Sequence, residues 1–172
     1  MIDIFNHFMP KAYLDRLGAF VPGHVALTAF PRVRTLCDID ARLSLLDEFD
    51  GLQQVLSLAN PPLELVAPPD KSPELARIAN DALAEVCRKH ADRFPTFIAS
   101  LPMNNIEAAL SEIDRAVGDL RARGVQLFTN VAGRPLSDPQ FRPIFRRMVS
   151  LTPQISMMAM MQPAGVRSGT AR

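Results

Sequence analysis

The chain has 172 residues, 48% of them hydrophobic, and its 19 basic and 18 acidic side chains leave a formal charge of +1. Without a basic stripe or an acidic tail, neither nucleic acid nor a membrane surface is an expected partner. No apolar run approaches the ~20 residues of a membrane span, no basic cleavable leader opens the chain, and two cysteines are too few for a disulfide framework, so a single domain in a reducing cytoplasm is expected.

The opening stretch, near residues 2–6, reads as a strand that ends in Phe5-Asn6-His7. Strict alternation puts Asp3, Phe5 and His7 on one side and Ile4 and Asn6 on the other. Pro10 allows a short helix, and the Gly- and Pro-punctuated stretch 18–35 reads as a long loop. Asp38 is placed to cap a helix running through Phe49, with Ile39, Leu43 and Leu46 on its apolar face and Gly51 as its stop. A second strand follows and ends at Asn60-Pro61-Pro62. Ser72, ahead of Pro73 and Glu74, is the expected cap of a helix whose stripe is Leu75, Ile78, Ala79, Ala82, Leu83, Val86 and Cys87. A third strand, closed by Pro102, precedes a helix capped by Asn105 and stopped by Gly124. A fourth strand leads to a helix opened by Asp138-Pro139, and "ISMMAMM" is a candidate fifth strand.

Alternating strands and helices imply parallel pairing, either an open doubly wound sheet or the early part of a (β/α)8 TIM barrel. No Gly-rich phosphate fingerprint follows the first strand, which disfavours dinucleotide binding. Four parallel strands are expected near residues 2–6, 52–58, 96–101 and 125–130, adjacent in chain order. His7, Asn60, Ser100, Asn104 and Asn130 fall at or beyond strand C-termini, the rim where barrel enzymes hold their sites.

"IDIFNHFMP" resembles the first-strand motif I-D-x-H-x-H-x-x-P of the amidohydrolase superfamily, in the branch of the aminocarboxymuconate-semialdehyde decarboxylases and related metal-dependent carboxy-lyases. "DIDARLSLLDEFDGLQQVLSLANPP", "RFPTFIASLPMNNIEAALSEIDRAV" and "GVQLFTNVAGRPLSDPQFRPIF" resemble its next segments in order. The resemblance implies a partial TIM barrel over residues 1–151, about its first four or five βα units, with 152–172 as a divergent tail. It implies a zinc- or manganese-dependent hydrolase or decarboxylase acting on a small aromatic or unsaturated carboxylic acid. It also implies that the paired first-strand residues hold the metal, with later strands supplying two further His and an Asp.

His7 is the metal-ligand candidate, whereas Phe5 stands where the first ligand is expected and a phenyl ring cannot bind a metal. Asn6, on the other face, is not an expected ligand. Arg32, Arg34 and Asn130 are the substrate-binding candidates, with solvated loop charge as the alternative for the two arginines. His24 and His90 read as structural, and Met157, Met158, Met160 and Met161 as strand or out-of-frame tail rather than a soft-metal site. Gln162-Pro163 stands in for an expected His-Pro. A truncated or frameshifted gene is one expected cause of this ending, and an inactive fragment that only self-associates, as a homo-oligomer, or binds a partner subunit is the second functional reading.

Overall fold

The computed structural model describes residues 1–151 and the backbone of a strand at 156–160. Gln162-Pro163 lies outside the described residues, as do the side chains of the methionine run. Strand β1 (Ile2–Phe8) is followed by α1 (Lys11–Phe20), α2 (Ala26–Ala29), a single 3-10 turn and α3 (Arg34–Cys37). Helix α4 (Ile39–Leu46) leads into β2 (Gln53–Leu58), α5 (Leu63–Val66), α6 (Ser72–Lys89) and β3 (Ile98–Ser100). Helix α7 (Ile106–Gly118) and β4 (Gly124–Phe128) precede a two-residue hairpin of β5 (Asn130–Val131) and β6 (Arg134–Pro135). The last elements are α8 (Arg142–Ser150) and β7 (Ser156–Met160).

Strands β1 and β2 pair in parallel, as do β3, β4 and β7 in that order, and a parallel bridge from Leu56 to Phe97 links the two groups. The four expected strands therefore lie parallel in chain order, and the candidate fifth strand joins β4. Leu56, Ala99, Val125 and Leu127 turn toward the helices and share a core with Leu83, Ala109, Ile113 and Ile144. The alternate residues Ser57, Ser100 and Gln126 face the other way and are also buried.

Three local expectations are corrected. The stretch read as one long loop is largely helical: α1 continues through Gly18, and the break falls at Gly23, whose φ of +83° needs a residue without Cβ. The next helix ends at Leu46 rather than Phe49, which is half exposed. Gly124 does not stop α7 but opens β4; the stop is Arg121, in the left-handed region at φ 62°, with Ala122 N donating back to Ala116 O at 2.8 Å. A left-handed residue closing a helix end is usually glycine.

Ser72 does not cap α6 either. It is the first helical residue, and its hydroxyl donates to Asn104 Oδ1 at 2.5 Å across to the loop before α7. The caps at Asp38, Asn105 and Asp138 form as the sequence expects, each carboxylate or amide oxygen accepting from a backbone N–H two or three residues on.

Strand β1 departs from regular alternation. Asp3 pairs with Gln54 and Asn6 with Leu56, so Ile4 and Phe5 together stand opposite Val55 in a bulge. The Asp3 carboxylate accepts from Phe5 N at 3.0 Å and stabilises that turn. One extra residue shifts the phase, so Asp3 and Asn6 fall on the helix side, while Phe5 and His7 share the opposite face with ring centroids 5.1 Å apart. The expectation that Asp3 lies with His7 is therefore corrected.

Candidate active site at the strand C-termini

His7 lies one residue before the end of β1 and is half buried. Its Nδ1 is 2.8 Å from Ser57 Oγ on the neighbouring strand, and Ser57 donates its own proton to Asn6 O at 2.9 Å. A hydroxyl that has spent its hydrogen on a carbonyl can only accept from the ring, so the proton resides on Nδ1 and Nε2 keeps its lone pair. Burial, and then the charge of Arg42, hold the imidazole below its usual pKa and so in the neutral form. A neutral imidazole whose other nitrogen is tied down is the state in which histidine ligates a divalent cation.

Arg42 sits behind this strand end. It is buried, donates through Nη2 to His7 O at 2.6 Å and through Nε to Thr35 O at 2.7 Å, and thereby ties α4 and α3 to β1. Its Nη1 reaches Gln54 Oε1 at 3.3 Å, and Gln54 donates on to Asn6 Oδ1 at 2.7 Å. Asn6 is thus consumed on the helix side, pointing away from the His7 ring.

The ends of β2, β3 and β4 enclose a second feature, a water-sized cavity of about 10 Å³ bordered by Ala59, Pro62, Glu64, Ser100, Gln126 and Phe128. Burial pushes the Glu64 carboxyl up to about 7, and its Oε1 is buried without a hydrogen-bond partner among the described residues. A carboxylic acid that keeps its proton near neutral pH can donate it. Sequence reasoning missed Glu64, which sits on a one-turn helix with no pattern to mark it. The Asn-Pro-Pro that places this turn was the available signal.

The remaining sequence-predicted residues are not gathered at this rim. Arg34 is exposed and paired with Asp38 at 3.2 Å, Arg32 is exposed in the 3-10 turn, and neither borders the cavity. Asn130 Oδ1 accepts from Gly133 N at 3.1 Å and shapes the β5–β6 hairpin. His24 accepts from Ala26 N at 3.2 Å at the start of α2, and His90 ends α6 with its ring edge toward Phe94. Both thiols are unbridged, and burial pushes Cys87 up to about 12.

His7 supplies one imidazole, and no group of three His, Cys, Asp or Glu that could hold a metal occurs among the described residues. These residues alone do not fit a catalytic divalent cation, which needs about three protein ligands.

The parallel β/α architecture defines a class, and the comparisons agree with it. The amidohydrolase family model matches residues 12–165, and the chain belongs to that family, in its aminocarboxymuconate-semialdehyde decarboxylase-like branch. It is 41% identical over 121 residues to a gamma-resorcylate decarboxylase of a Rhizobium species, covering 69% of this chain and 36% of that protein. It is 34% identical over 166 residues to 2-amino-3-carboxymuconate-6-semialdehyde decarboxylase of Dictyostelium discoideum, covering 87% of this chain and 46% of that one. The crystal structure of a dihydroxybenzoic acid decarboxylase from Polaromonas, with bound manganese and the inhibitor 2-nitroresorcinol, superposes with a TM-score of 0.74 at 28% identity, covering 94% of this chain and 49% of that one. The chain thus spans about a third to a half of the length of these relatives. No helix among the described residues is long and apolar enough to cross a membrane.

Proposed function

We propose that this chain is the N-terminal part of a barrel-type, divalent-metal decarboxylase site for a small aromatic carboxylic acid, with His7 as its metal-ligating residue. The observation that carries the reading is the His7–Ser57–Asn6 relay, which leaves a neutral ring with Nε2 free at the C-terminal end of β1. The decarboxylase relatives give it a reaction class, and the manganese in the Polaromonas structure gives the expected kind of metal. When bound, such a metal supplies a positive charge against which a carboxylate or phenolate oxygen can be held.

Loss of CO₂ from an aryl carboxylate breaks the ring–carboxyl bond and leaves its electron pair on the ring carbon, which then takes up a proton. Glu64 is the rim group able to hold that proton at neutral pH, and its carboxylate is reprotonated from solvent afterwards. Phe128 and Ala59 present buried apolar surface to the same corner.

A second reading, a non-catalytic chain, is favoured by Phe5, which shares the His7 face and offers no donor. One pair of assays separates the two. In the first, this chain's residues 1–151 replace the matched part of the Rhizobium gamma-resorcylate decarboxylase, and CO₂ release from gamma-resorcylate is followed with Mn²⁺. The proposal expects measurable turnover that His7→Ala lowers by about 100-fold or more, since a direct ligand matters at least as much as the ~10–100-fold typical of outer-shell partners. Turnover unaffected by His7→Ala overturns it. In the second, the chain by itself is assayed, and absence of CO₂ release beside an active chimera shows that the chain carries only part of a site.

A further inference from the structure

The end of the sheet opposite His7 and Glu64 carries a separate, solvent-open cavity of about 460 Å³. Its walls come from the C-terminal half of α6, the residues that lead into β3 and the turn that follows α7, all at the N-terminal ends of the strands. That volume lies within the ~300–1,000 Å³ typical of small-molecule sites. Ala84, Phe97 and Leu120 make part of it apolar, and so does Cys87, whose thiol burial keeps protonated. Most of the charge around this surface is already spent. Glu85 accepts from Arg88 at 2.8 Å and from Lys89 at 3.0 Å, and Asp81 is paired with Arg115.

Asp119 and Arg121 differ from these pairs. Both are exposed and border the cavity, and neither side chain forms a hydrogen bond or ion pair with any described residue, each other included. Asp119 follows the last residue of α7, where the negative end of the helix dipole adds to its carboxylate in favouring a cation. The Arg121 guanidinium offers a planar fork of donors suited to a carboxylate, and Thr96 donates to Arg121 O at 3.4 Å, holding the turn that carries it. We infer that this cavity binds a small zwitterion with an apolar body, of the class of α-amino acids with hydrophobic side chains. Asp119 receives the ammonium, Arg121 the carboxylate, and Phe97 and Leu120 the apolar body. A plain carboxylate would face Asp119 as a like charge, and a plain amine would face Arg121, so the paired charges select for a ligand that carries both. The site lies at the other end of the strands from the proposed decarboxylase site and does not rest on that reading.

The test titrates the isotope-labelled full chain with L-phenylalanine and follows its backbone amides by NMR. Saturable shifts are expected at millimolar concentration in residues 84–88, 95–97 and 119–121, the segments that wall the cavity. Phenylacetate lacks the ammonium, phenethylamine lacks the carboxylate and glycine lacks the apolar body, and each should bind at least fivefold more weakly. Arg121→Gly removes the guanidinium while relaxing the left-handed backbone, so it should weaken L-phenylalanine binding at least fivefold without lowering the melting temperature. Asp119→Asn, at an exposed position, should weaken it to a similar extent and also leave melting unchanged. Absence of saturable shifts in these segments, equal affinity for any of the three analogues, or unchanged affinity in either variant overturns the proposal.

Discussion

Glu64 is ionised in the unfolded chain above its ordinary 4.5 but keeps its proton in the fold until about 7. Below 4.5 both states are protonated and the site is neutral in effect. As pH rises toward 7 the unfolded state loses the proton first, so stability falls over that window and stays lower above it. The interval corresponds to a ceiling of about 3 kcal/mol. Glu64→Gln, which keeps the shape without the charge, is therefore expected to stabilise the chain by about 2 kcal/mol at pH 8 and by almost nothing at pH 4. Urea unfolding at the two pH values measures it, and an equal effect at both would show that the carboxyl is not desolvated. At His7, removing the Ser57 hydroxyl leaves a buried Nδ1–H and the Asn6 carbonyl without their partner. Ser57→Ala should cost about 1–2 kcal/mol in the same measurement and lower Mn²⁺ affinity of the chimera by about 10-fold or more, while Ser57→Thr, which retains the hydroxyl, recovers part of the affinity. The place of His7 near the end of β1 was legible, because the strand pattern runs up to it. Ser57 and Glu64 were not, because their roles arise from contacts across elements that a local pattern does not encode.

The helices were mostly readable from their caps and stripes, and the exceptions share a cause. Asn80 sits inside what reads as the apolar stripe of α6. Its amide donates to Ser100 O and accepts from Ser100 N, both at 2.9 Å, in place of a strand neighbour at the end of β3. It also donates to Glu112 Oε1 at 2.7 Å, and Arg115 clamps that buried carboxylate while pairing with Asp81. This network joins α6, α7 and β3, and nothing in a 3.6-residue period reveals that one stripe position must be an amide. Asn80→Ala removes three hydrogen bonds from a buried site and leaves their partners stranded, so a loss of about 3 kcal/mol is expected by chemical denaturation. A loss below about 1 kcal/mol would mean that water replaces the amide. Arg121 illustrates the opposite failure: its left-handed conformation is written by the fold on a residue that does not advertise it. Arg121→Gly should relieve that backbone and raise stability by about 0.5–1 kcal/mol, despite the greater freedom glycine gives the unfolded chain.

For the whole molecule, strand order and parallel direction followed from the alternation of elements, because consecutive βα units leave few ways to bury both faces of a sheet. The proposed metal centre could not be read in the same way, since ligands that converge from separate strands leave no local pattern. His7 presents a half-buried imidazole, Phe5 beside it contributes a hydrophobic edge, and no three-residue donor group exists among the described residues. A single imidazole binds Mn²⁺ or Zn²⁺ far more weakly than a set of three or four donors does, because each added ligand acts on an ion already held. The purified chain should therefore retain well under one metal per chain after exhaustive dialysis, as read by elemental analysis. Placing a carboxylate at the Phe5 position tests whether geometry or donor count is limiting: Phe5→Glu adds a second donor on the His7 face and should raise Mn²⁺ affinity at least tenfold, seen by titration with paramagnetic broadening of the His7 ring resonances. If wild type instead keeps about one metal per chain and loses it on His7→Ala, the site is complete without a second first-strand ligand, and Phe5 is a working part of it.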